Sequence, residues 1–373
     1  MSAPERALAR IDLGAIARNC AHLRAQLRPG AKLCAVVKAD GYGHGAAWVA
    51  KAALEGGANW LAVATAAEAE DLRRHGLAGR ILVMGALTAD ELRTALEADA
   101  DVVAWREGFA AAIAERAVRG AAKPRVHVKL DSGMGRLGTA DPDEARAVTA
   151  AVHADDRLEL AGLMTHFATA DEPGDDHFPA QLARFAPLAE ELKGGHPELL
   201  AHAANSAATL RDPASHFDMV RCGIAVYGLD PFQEDPAEQG LEPALSLESW
   251  VAAVKRFERG DSAGYGRTWR AAEPTWVATL PIGYGDGWRR GLSNDCDVLI
   301  KGRRHPLVGT ISMDNVTVDL GPDTDVEPGD RAVLIGAQDG ERIACEEVAK
   351  RLQTINYEVT CGLSPRVRRL HSR

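Results

Sequence analysis

The stretch LCAVVKADGYGHGAAWVAKAALEGGANWLAVA, residues 33–64, contains a complete strand–helix–strand unit. Its two short apolar runs, 33–37 and 60–64, are predicted to be buried strands, and residues 44–56 between them carry apolar side chains at helical spacing. Two strands joined by a helix are typical of a parallel sheet with a crossover connection.

The same unit recurs outward from this stretch, from about residue 31 to 228. Eight apolar runs are predicted to be strands, and eight strands close a TIM-type barrel. The predicted strands are 33–37, 60–64, 80–84, 101–105, 125–130, 158–164, 199–203 and 219–227. The predicted helices are 44–56, 65–75, 88–98, 108–119, 142–153 and 177–193, with a short one after residue 205.

The two ends of the chain differ from this repeat. ALARIDL, about residues 7–13, is predicted to be a strand that joins the second domain. After residue 240, alternating runs punctuated by turns predict a mostly-β region with one helix near 345–353. The predicted fold class is an α/β TIM (β/α)8 barrel in residues 1–240, followed by a mostly-β C-terminal domain in residues 241–373.

Composition limits the functions of this chain. Of its 373 residues, 46% are hydrophobic and 26% are charged, as in soluble globular proteins. The formal net charge of -10 argues against a nucleic-acid partner, and the four arginines in the last eight residues are interpreted as a solvated terminus. Since no secretory signal or membrane span is found, we expect a cytoplasmic protein. The six cysteines form no Cys-x-x-Cys pair, so neither a metal site nor a disulfide is predicted.

Lys38 follows the first barrel strand, at the end where TIM barrels hold their active sites. A lysine directly after four apolar residues is desolvated, which disfavours its charged form and suits an imine-forming nucleophile. On position alone, an ion pair with a nearby carboxylate is the commoner explanation. The glycines at 41, 43 and 45 favour a ligand instead, because they permit close approach of the backbone.

Later strand ends supply further candidates. In this fold, a phosphate group usually binds at the carboxyl ends of the seventh and eighth barrel strands. The site is formed by loop amides and the start of a short helix. Ser206 is predicted to open such a helix, as its cap or as a phosphate ligand. Gly223 and Ile224 either offer amides to the phosphate or turn the chain. The other candidates are Asp131, Arg136, His166, Asn205 and Arg221.

Eight segments taken together resemble the alanine racemase family. They run in order between about residues 7 and 368 and are AVVKADGYGHG, VKLDSGMGRLG, THFATAD, ANSAA, VRCGIAVYG, AGYGRTW, PIGYGDG and ISMDN. The resemblance implies an isomerase that interconverts L- and D-alanine through an imine with pyridoxal 5'-phosphate, supplying D-alanine for peptidoglycan. It also implies a homodimer with shared active sites.

The resemblance assigns roles to the matching positions. It implies that Lys38 holds the cofactor aldehyde and is one catalytic base, and that Tyr265 of the partner subunit is the other. The residues implied at the cofactor phosphate are Tyr42, Asn205, Ser206, Gly223, Ile224 and Tyr357. Arg221 is implied at the pyridine nitrogen, with His166 bridging it toward Tyr265.

The remaining roles concern the substrate and the entrance. The resemblance implies that Arg136 and the backbone amide of Met313 hold the substrate carboxylate. Lys129 matches a position that carries a carbamate in some members. The residues implied at the entrance or in support are Tyr284, Tyr357 and Asp314.

Two proton-transfer groups suit a racemisation. Inverting a carbon centre requires removal of a proton from one face and delivery to the other, and Lys38 with Tyr265 fits that need. Arg221 keeps its proton, so it leaves the ring a weaker electron sink and discourages transamination.

Three alternatives remain open at this stage. A non-catalytic pyridoxal-phosphate-binding protein on the same barrel would not need the second domain. A decarboxylase would suit an acidic partner for the ring nitrogen rather than Arg221. A racemase of broader specificity, for serine or lysine, differs only in the volume of the side-chain pocket.

Overall fold

The structure, a computed structural model, describes residues 5–117 and 122–373 and contains two compact units. The barrel unit holds residues 16–226 and 239–241, and the β unit holds residues 5–15, 227–238 and 242–373. The end of the helix predicted at 108–119 lies outside the described residues. None of the helices in the described ranges is long and apolar enough to cross a membrane.

Strand β1 (Leu8–Asp12) and helix α1 (Leu13–Ala25) precede a closed parallel barrel, which has eight strands within the described residues. Its strands are β2 (Lys32–Val36), β3 (Trp60–Val63), β4 (Arg80–Val83), β5 (Asp101–Ala104), β6 (Arg125–Lys129), β7 (Glu159–Met164), β8 (Leu200–His202) and β9 (Met219–Cys222). Its helices are α2 (Lys38–Tyr42), α3 (Ala46–Glu55), α4 (Ala66–Arg74), α5 (Ala89–Glu97), α6 (Glu107–Glu115), α7 (Pro142–Ala154), α8 (His177–Gly195) and α9 (Ser206–Arg211).

Local sequence explains the positions of these elements. Every residue of β3 and β5 is buried, because parallel strands are covered on both faces, and this is why their residues are apolar except Asp101. Thr65 and Thr88 begin α4 and α5 with capping boxes, and Asp141 with Pro142 begins α7. The predicted fold class is confirmed.

The eighth predicted strand was wrong at its end. The strand predicted over 219–227 stops at Cys222, and Ile224–Tyr227 form a 3₁₀ helix. The hydroxyl oxygen of Ser206 accepts the backbone N–H groups of Gly223 and Ala225, so these amides cannot pair with a strand.

The β unit is built on one large sheet. Its remaining strands are β10 (Leu245–Trp250), β11 (Ala253–Phe257), β12 (Ser262–Ala263), β13 (Trp269–Arg270), β14 (Thr275–Leu280), β15 (Asp297–Ile300), β16 (Arg303–Val308), β17 (Val316–Gly321), β18 (Arg331–Gln338), β19 (Glu341–Ile343) and β20 (Arg368–Ser372). The strand order is β11-β14-β17-β16-β15-β18-β10-β1-β20, with β19 paired to β18 and a separate β12–β13 pair. Two helices accompany the sheet, α10 (Cys345–Arg351) and α11 (Asn356–Cys361).

Two features of the β unit differ from the sequence predictions. Helix α11 was missed because its six residues are too few to show helical periodicity. The basic C-terminal stretch is not a solvated terminus, since β20 pairs in parallel with β1. The guanidinium of Arg369 anchors this edge strand through the carbonyls of Leu363, Ser364 and Val367.

Candidate active site

Lys38 stands at the carboxyl end of β2 and begins a turn of left-handed backbone. Ala39, Asp40 and Tyr42 have φ angles of 52°, 51° and 51°, although none is glycine. Left-handed backbone costs roughly 1–2 kcal/mol for each such residue, so surrounding contacts must stabilise the turn. The glycines in the segment also have positive φ angles: Gly41 (59°), Gly43 (82°) and Gly45 (93°).

Glu68 supplies one of the stabilising contacts. One of its carboxylate oxygens accepts the N–H of Ala39 at 2.7 Å, and the other accepts those of Ala64 and Thr65 at 2.8 and 3.1 Å. Glu68 therefore ties the residue after Lys38 to the end of β3. Sequence reasoning missed this role, although the Thr65-x-x-Glu68 capping signature marked the residue.

The guanidinium of Arg221, on β9, is buried and almost fully hydrogen-bonded. Its Nη2 donates to the carbonyls of Thr165 (2.7 Å) and Ala203 (3.0 Å) and to Nδ1 of His166 (3.2 Å). Its Nη1 donates to Nδ1 of His202 at 2.8 Å. Its Nε is buried and has no acceptor among the described residues. Burial lowers the pKa of Arg221 to about 10, so the group stays charged at neutral pH.

His166 is a neutral imidazole beside this arginine. Burial, followed by the positive charges of Arg221 and Arg136, lowers the pKa of His166 well below its ordinary value. Because Arg221 donates to Nδ1, the ring carries its proton on Nε2. His166 can therefore donate one hydrogen bond from its other edge.

Lys129, the last residue of β6, is buried among positive charges. Burial, followed by Arg221 and Arg136, lowers its pKa to about 8. Lys38 also contributes to this lowering, so the five barrel cations and imidazoles predicted for the site share one electrostatic environment. Near neutral pH, an appreciable fraction of the Lys129 amine is unprotonated.

Asp131 organises the loop that carries Arg136. Its carboxylate accepts the N–H groups of Gly133 (3.0 Å), Met134 (2.6 Å), Gly135 (3.1 Å) and Arg136 (2.8 Å). Burial raises the pKa of Asp131, but these four donors outweigh it and the pKa is lowered. The anion therefore holds the loop while the Arg136 side chain is exposed.

The ends of β8 and β9 form a small polar cradle. Asn205 caps α9 by accepting the N–H of Ala208 at 2.9 Å, so the capping role considered for Ser206 belongs to Asn205. The hydroxyl oxygen of Ser206 instead accepts the amides of Gly223 (3.0 Å) and Ala225 (3.3 Å). Its own hydrogen is left to donate, which suits an anionic ligand.

Tyr42 reaches the same cradle from the turn after Lys38. A Cβ atom placed on Gly223 would lie 2.4 Å from the Tyr42 hydroxyl oxygen and 2.9 Å from Cζ. Only glycine at 223 admits the tyrosine in this position. Ile224 follows it and is fully buried.

The β unit presents its predicted site residues on exposed loops. Tyr265 is 73% exposed, in a 3₁₀ turn flanked by Gly264 and Gly266, which both have positive φ angles. Tyr284 and Met313 are neighbours, 43% and 51% exposed. Tyr284 N–H donates to the Ser312 carbonyl at 3.1 Å, which joins their two loops.

Two further predicted residues occupy other positions in this unit. The carboxylate of Asp314, next to Met313, pairs with Arg366 at 2.5 Å. Tyr357 is the second residue of α11, on a segment separate from Tyr265. The structure therefore brings Tyr284, Met313 and Asp314 together. Tyr265 lies next to the same loop, because Gly264 forms a bridge with Thr310, whereas Tyr357 lies on α11.

Sequence reasoning also missed a group of buried polar side chains inside the barrel. Asp101, His127 and His202 are each fully buried. The available signal was a polar residue within an apolar strand, as in RVHVKL and LLAHA.

The fold and this site define an enzyme of the (β/α)8-barrel class, with a cationic site at the carboxyl ends of the strands and a β domain after the barrel. Residues 11–231 match the family model "Alanine racemase, N-terminal domain", and residues 244–371 match "Alanine racemase, C-terminal domain". The chain belongs to the alanine racemase family, whose members are isomerases.

Individual relatives agree with this assignment. The alanine racemase of Symbiobacterium thermophilum is 43% identical over 364 residues, covering 97% of this chain and 96% of the relative. Alanine racemase 1 of Bacillus subtilis is 41% identical over 364 residues, covering 97% and 92%. The crystal structure of alanine racemase from the D-cycloserine-producing Streptomyces lavendulae superposes with a TM-score of 0.94 at 38% identity, covering 100% and 98%. The resemblance seen in the sequence motifs is confirmed.

Proposed function

We propose that this chain racemises alanine with pyridoxal 5'-phosphate held at the carboxyl end of its barrel, as a cytoplasmic homodimer that supplies D-alanine for peptidoglycan. The observation that carries the proposal is the buried Nε–H of Arg221, which has no acceptor among the described residues. An unsatisfied buried donor is costly, and the unprotonated nitrogen of a pyridine ring is an acceptor that would satisfy it.

Lys38 and the polar cradle at the ends of β8 and β9 also fit this cofactor. Lys38 would hold its aldehyde carbon covalently. The Ser206 hydroxyl has a hydrogen to donate to the phosphate, and Tyr42 lies against Gly223 beside it. The other residues proposed at the phosphate are Asn205, Ile224 and Tyr357. When bound, pyridoxal phosphate supplies the electron sink that makes the α-hydrogen of an amino acid acidic.

Proton transfer falls to Lys38 and Tyr265. One of them would remove the α-proton from one face of the substrate carbon while the other delivers a proton to the opposite face, and the two groups exchange these roles when the reaction runs in the other direction. Arg221 keeps its proton while donating a hydrogen bond to the ring nitrogen, which limits the ring as an electron sink and disfavours transamination. His166, with its N–H on Nε2, would link Arg221 to Tyr265.

Substrate binding is proposed for the loop fixed by Asp131. The exposed Arg136 would pair with the carboxylate of alanine, together with the amide of Met313. Tyr284 and Tyr357 would narrow the entrance, and Asp314, held by Arg366, would support the Met313 loop. A narrow entrance would favour alanine over larger amino acids, in addition to the volume of the side-chain pocket.

Sharing of sites between two subunits is proposed from exposure. Tyr265, Tyr284 and Met313 are large side chains on the surface of the β unit, with exposed fractions of 73%, 43% and 51%. Exposed aromatic and methionine side chains are typical of interfaces. We propose that they complete the site of a second copy of this chain.

The function is tested on the purified protein. Absorbance spectra with and without borohydride report a covalently held pyridoxal cofactor, and chiral analysis of a panel of L-amino acids reports the substrate. We expect a yellow protein that racemises alanine fastest. A yellow protein without racemase activity would indicate a binding protein, and equal rates with serine or lysine would indicate the broader racemase.

Gly223→Ala is expected to weaken cofactor binding about 10- to 100-fold, because displacing a ligand group by about 1 Å has effects of that size. The added Cβ would meet the Tyr42 hydroxyl, and Tyr42 is only 7% exposed and has little room to move. Titration of the apoprotein with pyridoxal phosphate measures the change. Gly194→Ala is the matched control, since nothing lies within 4 Å of its added Cβ. Equal affinities in the two variants would show that Tyr42 and Gly223 do not form part of the phosphate site.

Lys129 is proposed to carry a carbamate. The ammonium group first loses a proton. The neutral amine then attacks the carbon of CO2, a nitrogen–carbon bond forms as one C=O π bond opens onto oxygen, and the nitrogen releases a second proton, so the side chain changes from cation to anion. Because burial and the nearby arginines lower the pKa of Lys129 to about 8, carbamate formation should rise with pH through about 8 and then level off. The resulting anion would pair with Arg136.

Carbon-13 NMR of protein in labelled bicarbonate should show a carbamate signal with this pH dependence. Lys129→Met should lack the signal, whereas Lys51→Met, at an exposed position on α3, should retain it. A signal that survives in Lys129→Met would place the carbamate elsewhere.

A further inference from the structure

A chain of hydrogen bonds crosses the inside of the barrel from Arg221 to Asp101. Arg221 Nη1 lies 2.8 Å from His202 Nδ1, and His202 Nε2 lies 2.9 Å from His127 Nδ1. His127 Nε2 lies 3.0 Å from the Asp101 carboxylate. The last three residues, which we call the buried relay, are 0% exposed. Asp101 begins β5, so the relay runs from the opposite end of the barrel to the proposed site.

The chemistry of the two ends gives every bond in the relay one direction. An arginine only donates, so His202 accepts at Nδ1 and carries its proton on Nε2. His202 then donates to Nδ1 of His127, which carries its proton on Nε2 and donates to Asp101. A second proton on either ring would set two donors against each other, so both imidazoles are neutral. Burial lowers the pKa of His202 well below its ordinary value, which agrees.

Two arginines hold the acidic end of the relay. Arg80 Nη2 donates to Asp101 Oδ2 at 2.6 Å, and Arg125 Nε donates to Oδ1 at 2.7 Å. Burial raises the pKa of Asp101, but the hydrogen bond from His127, followed by those from Arg80 and Arg125, outweighs it and the pKa is lowered. The carboxylate is therefore an acceptor at every physiological pH.

Gly162, in the barrel wall, leaves room for the imidazole of His127. A Cβ atom on Gly162, in β7, would lie 2.2 Å from His127 Nδ1, the atom that accepts from His202. A side chain here would displace the imidazole from its hydrogen bond. The glycine is therefore required by the relay geometry rather than by a turn.

We propose that Asp101, His127 and His202 are positioning residues that hold the guanidinium of Arg221 with its Nε–H directed at the bound ligand. The inference rests on the proposed function, in which that ligand is the cofactor ring. With Nη1 on His202 and Nη2 on Thr165 and Ala203, the guanidinium plane is fixed, and Nε is its nitrogen without an acceptor among the described residues. If His202 moved its proton to Nδ1, two donors would face each other and Arg221 would have to turn.

Asp101→Asn tests this role because it reverses the relay without removing it. At the Oδ1 position the amide NH2 group of the asparagine would face two arginine donors, Arg80 Nε and Arg125 Nε. At the Oδ2 position it would face one, Arg80 Nη2, so we expect the NH2 group at Oδ2. There it would donate to His127 Nε2, which would move the His127 proton to Nδ1. That proton would in turn move the His202 proton to Nδ1, against Arg221.

Nitrogen-15 solid-state NMR of histidine-labelled apoprotein reads the tautomers directly. The unmodified chain should show unprotonated Nδ1 and protonated Nε2 at His127 and His202, and Asp101→Asn should reverse both. Affinity for pyridoxal phosphate and kcat for alanine should each fall about 10- to 100-fold, as for other residues that orient a ligand-binding group. The KM for alanine should change far less, because the substrate carboxylate is held elsewhere.

Glu248→Gln is the matched control. Glu248 is also a buried carboxylate held by two arginines, Arg10 at 2.9 Å and Arg331 at 2.6 Å, but it is in the β unit and contacts neither relay histidine. It should lose a similar amount of stability and leave the tautomers, the cofactor affinity and kcat unchanged. Should Asp101→Asn fail to fold, His127→Leu interrupts the relay with no change in charge and should lower affinity and kcat equally.

The outcomes separate the relay from the proposed function. A protonated Nδ1 at His202 in the unmodified apoprotein would overturn the relay as described. Reversed tautomers with cofactor affinity equal to that of Glu248→Gln would overturn the positioning role alone. If the unmodified chain does not take up pyridoxal phosphate, the proposed function itself is overturned, together with the ligand assigned to Arg221.

Discussion

Lys38→Ala is expected to lower the racemisation rate at least about 10³-fold, because a positioned acid–base group alone contributes about 10²–10⁴ and this lysine is also proposed to hold the cofactor covalently. The side chain stands at the end of β2, before a left-handed turn tied down by Glu68. No other lysine on the chain occupies that position. The measurements are kcat/KM for L- and D-alanine, and attachment of the cofactor after borohydride treatment.

Lys51→Ala provides the comparison for this loss. Lys51 lies on α3, thirteen residues farther along the same strand–helix unit, and its side chain is exposed. It should keep the full rate and the reducible bond to the cofactor. A folded Lys38→Ala protein with more than about a tenth of the original rate would be incompatible with a role as catalytic base.

Mixing Lys38→Ala with Tyr265→Phe is expected to restore activity that neither variant shows alone. Tyr265→Phe removes only the phenolic hydroxyl group, and its rate should fall about 10²–10⁴-fold. If each site combines Lys38 of one subunit with Tyr265 of the partner subunit, a heterodimer has one site with both changes and one intact site. Purified heterodimer should then have about half the activity of the unmodified dimer, since one of two equivalent sites works.

The reciprocal mixture separates shared sites from independent ones. A chain with both Lys38→Ala and Tyr265→Phe, paired with an unmodified chain, has two broken sites if the sites are shared and one intact site if they are not. We expect this heterodimer to be inactive. Activity here, with none in the first mixture, would show that each chain uses its own tyrosine.

The barrel was predictable because its strands are buried on both faces. Runs such as residues 60–64 and 80–84 can be recognised without knowledge of their neighbours, and the capping threonines before α4 and α5 mark the helix starts. Element ends that depend on contacts across the barrel were not predictable. The strand ending at Cys222 stops where Ser206 captures two amides, and nothing in the local sequence shows that contact.

The candidate site also contains residues that local sequence predicts and residues that depend on contacts across the barrel. Lys38, Tyr265 and the residues proposed at the phosphate, except Tyr357, could be predicted because each belongs to a short contiguous motif. Glu68, His127 and His202 belong to no such motif of the site, and their importance comes from atoms that meet only when the strands close into a barrel.

By itself the sequence determined the alternation of strands and helices and the family, and it indicated which side chains are candidates for the reaction, because these depend on local periodicity and contiguous motifs. Only the tertiary structure decided the protonation of these groups and the donors left for a ligand. Lys129 is brought to a pKa of about 8 by burial beside Arg221 and Arg136, and Nε of Arg221 has no acceptor among the described residues while Nη1 and Nη2 are held by residues from other strands. Desolvation and hydrogen-bond partners depend on distances between residues far apart in the chain, which only folding establishes.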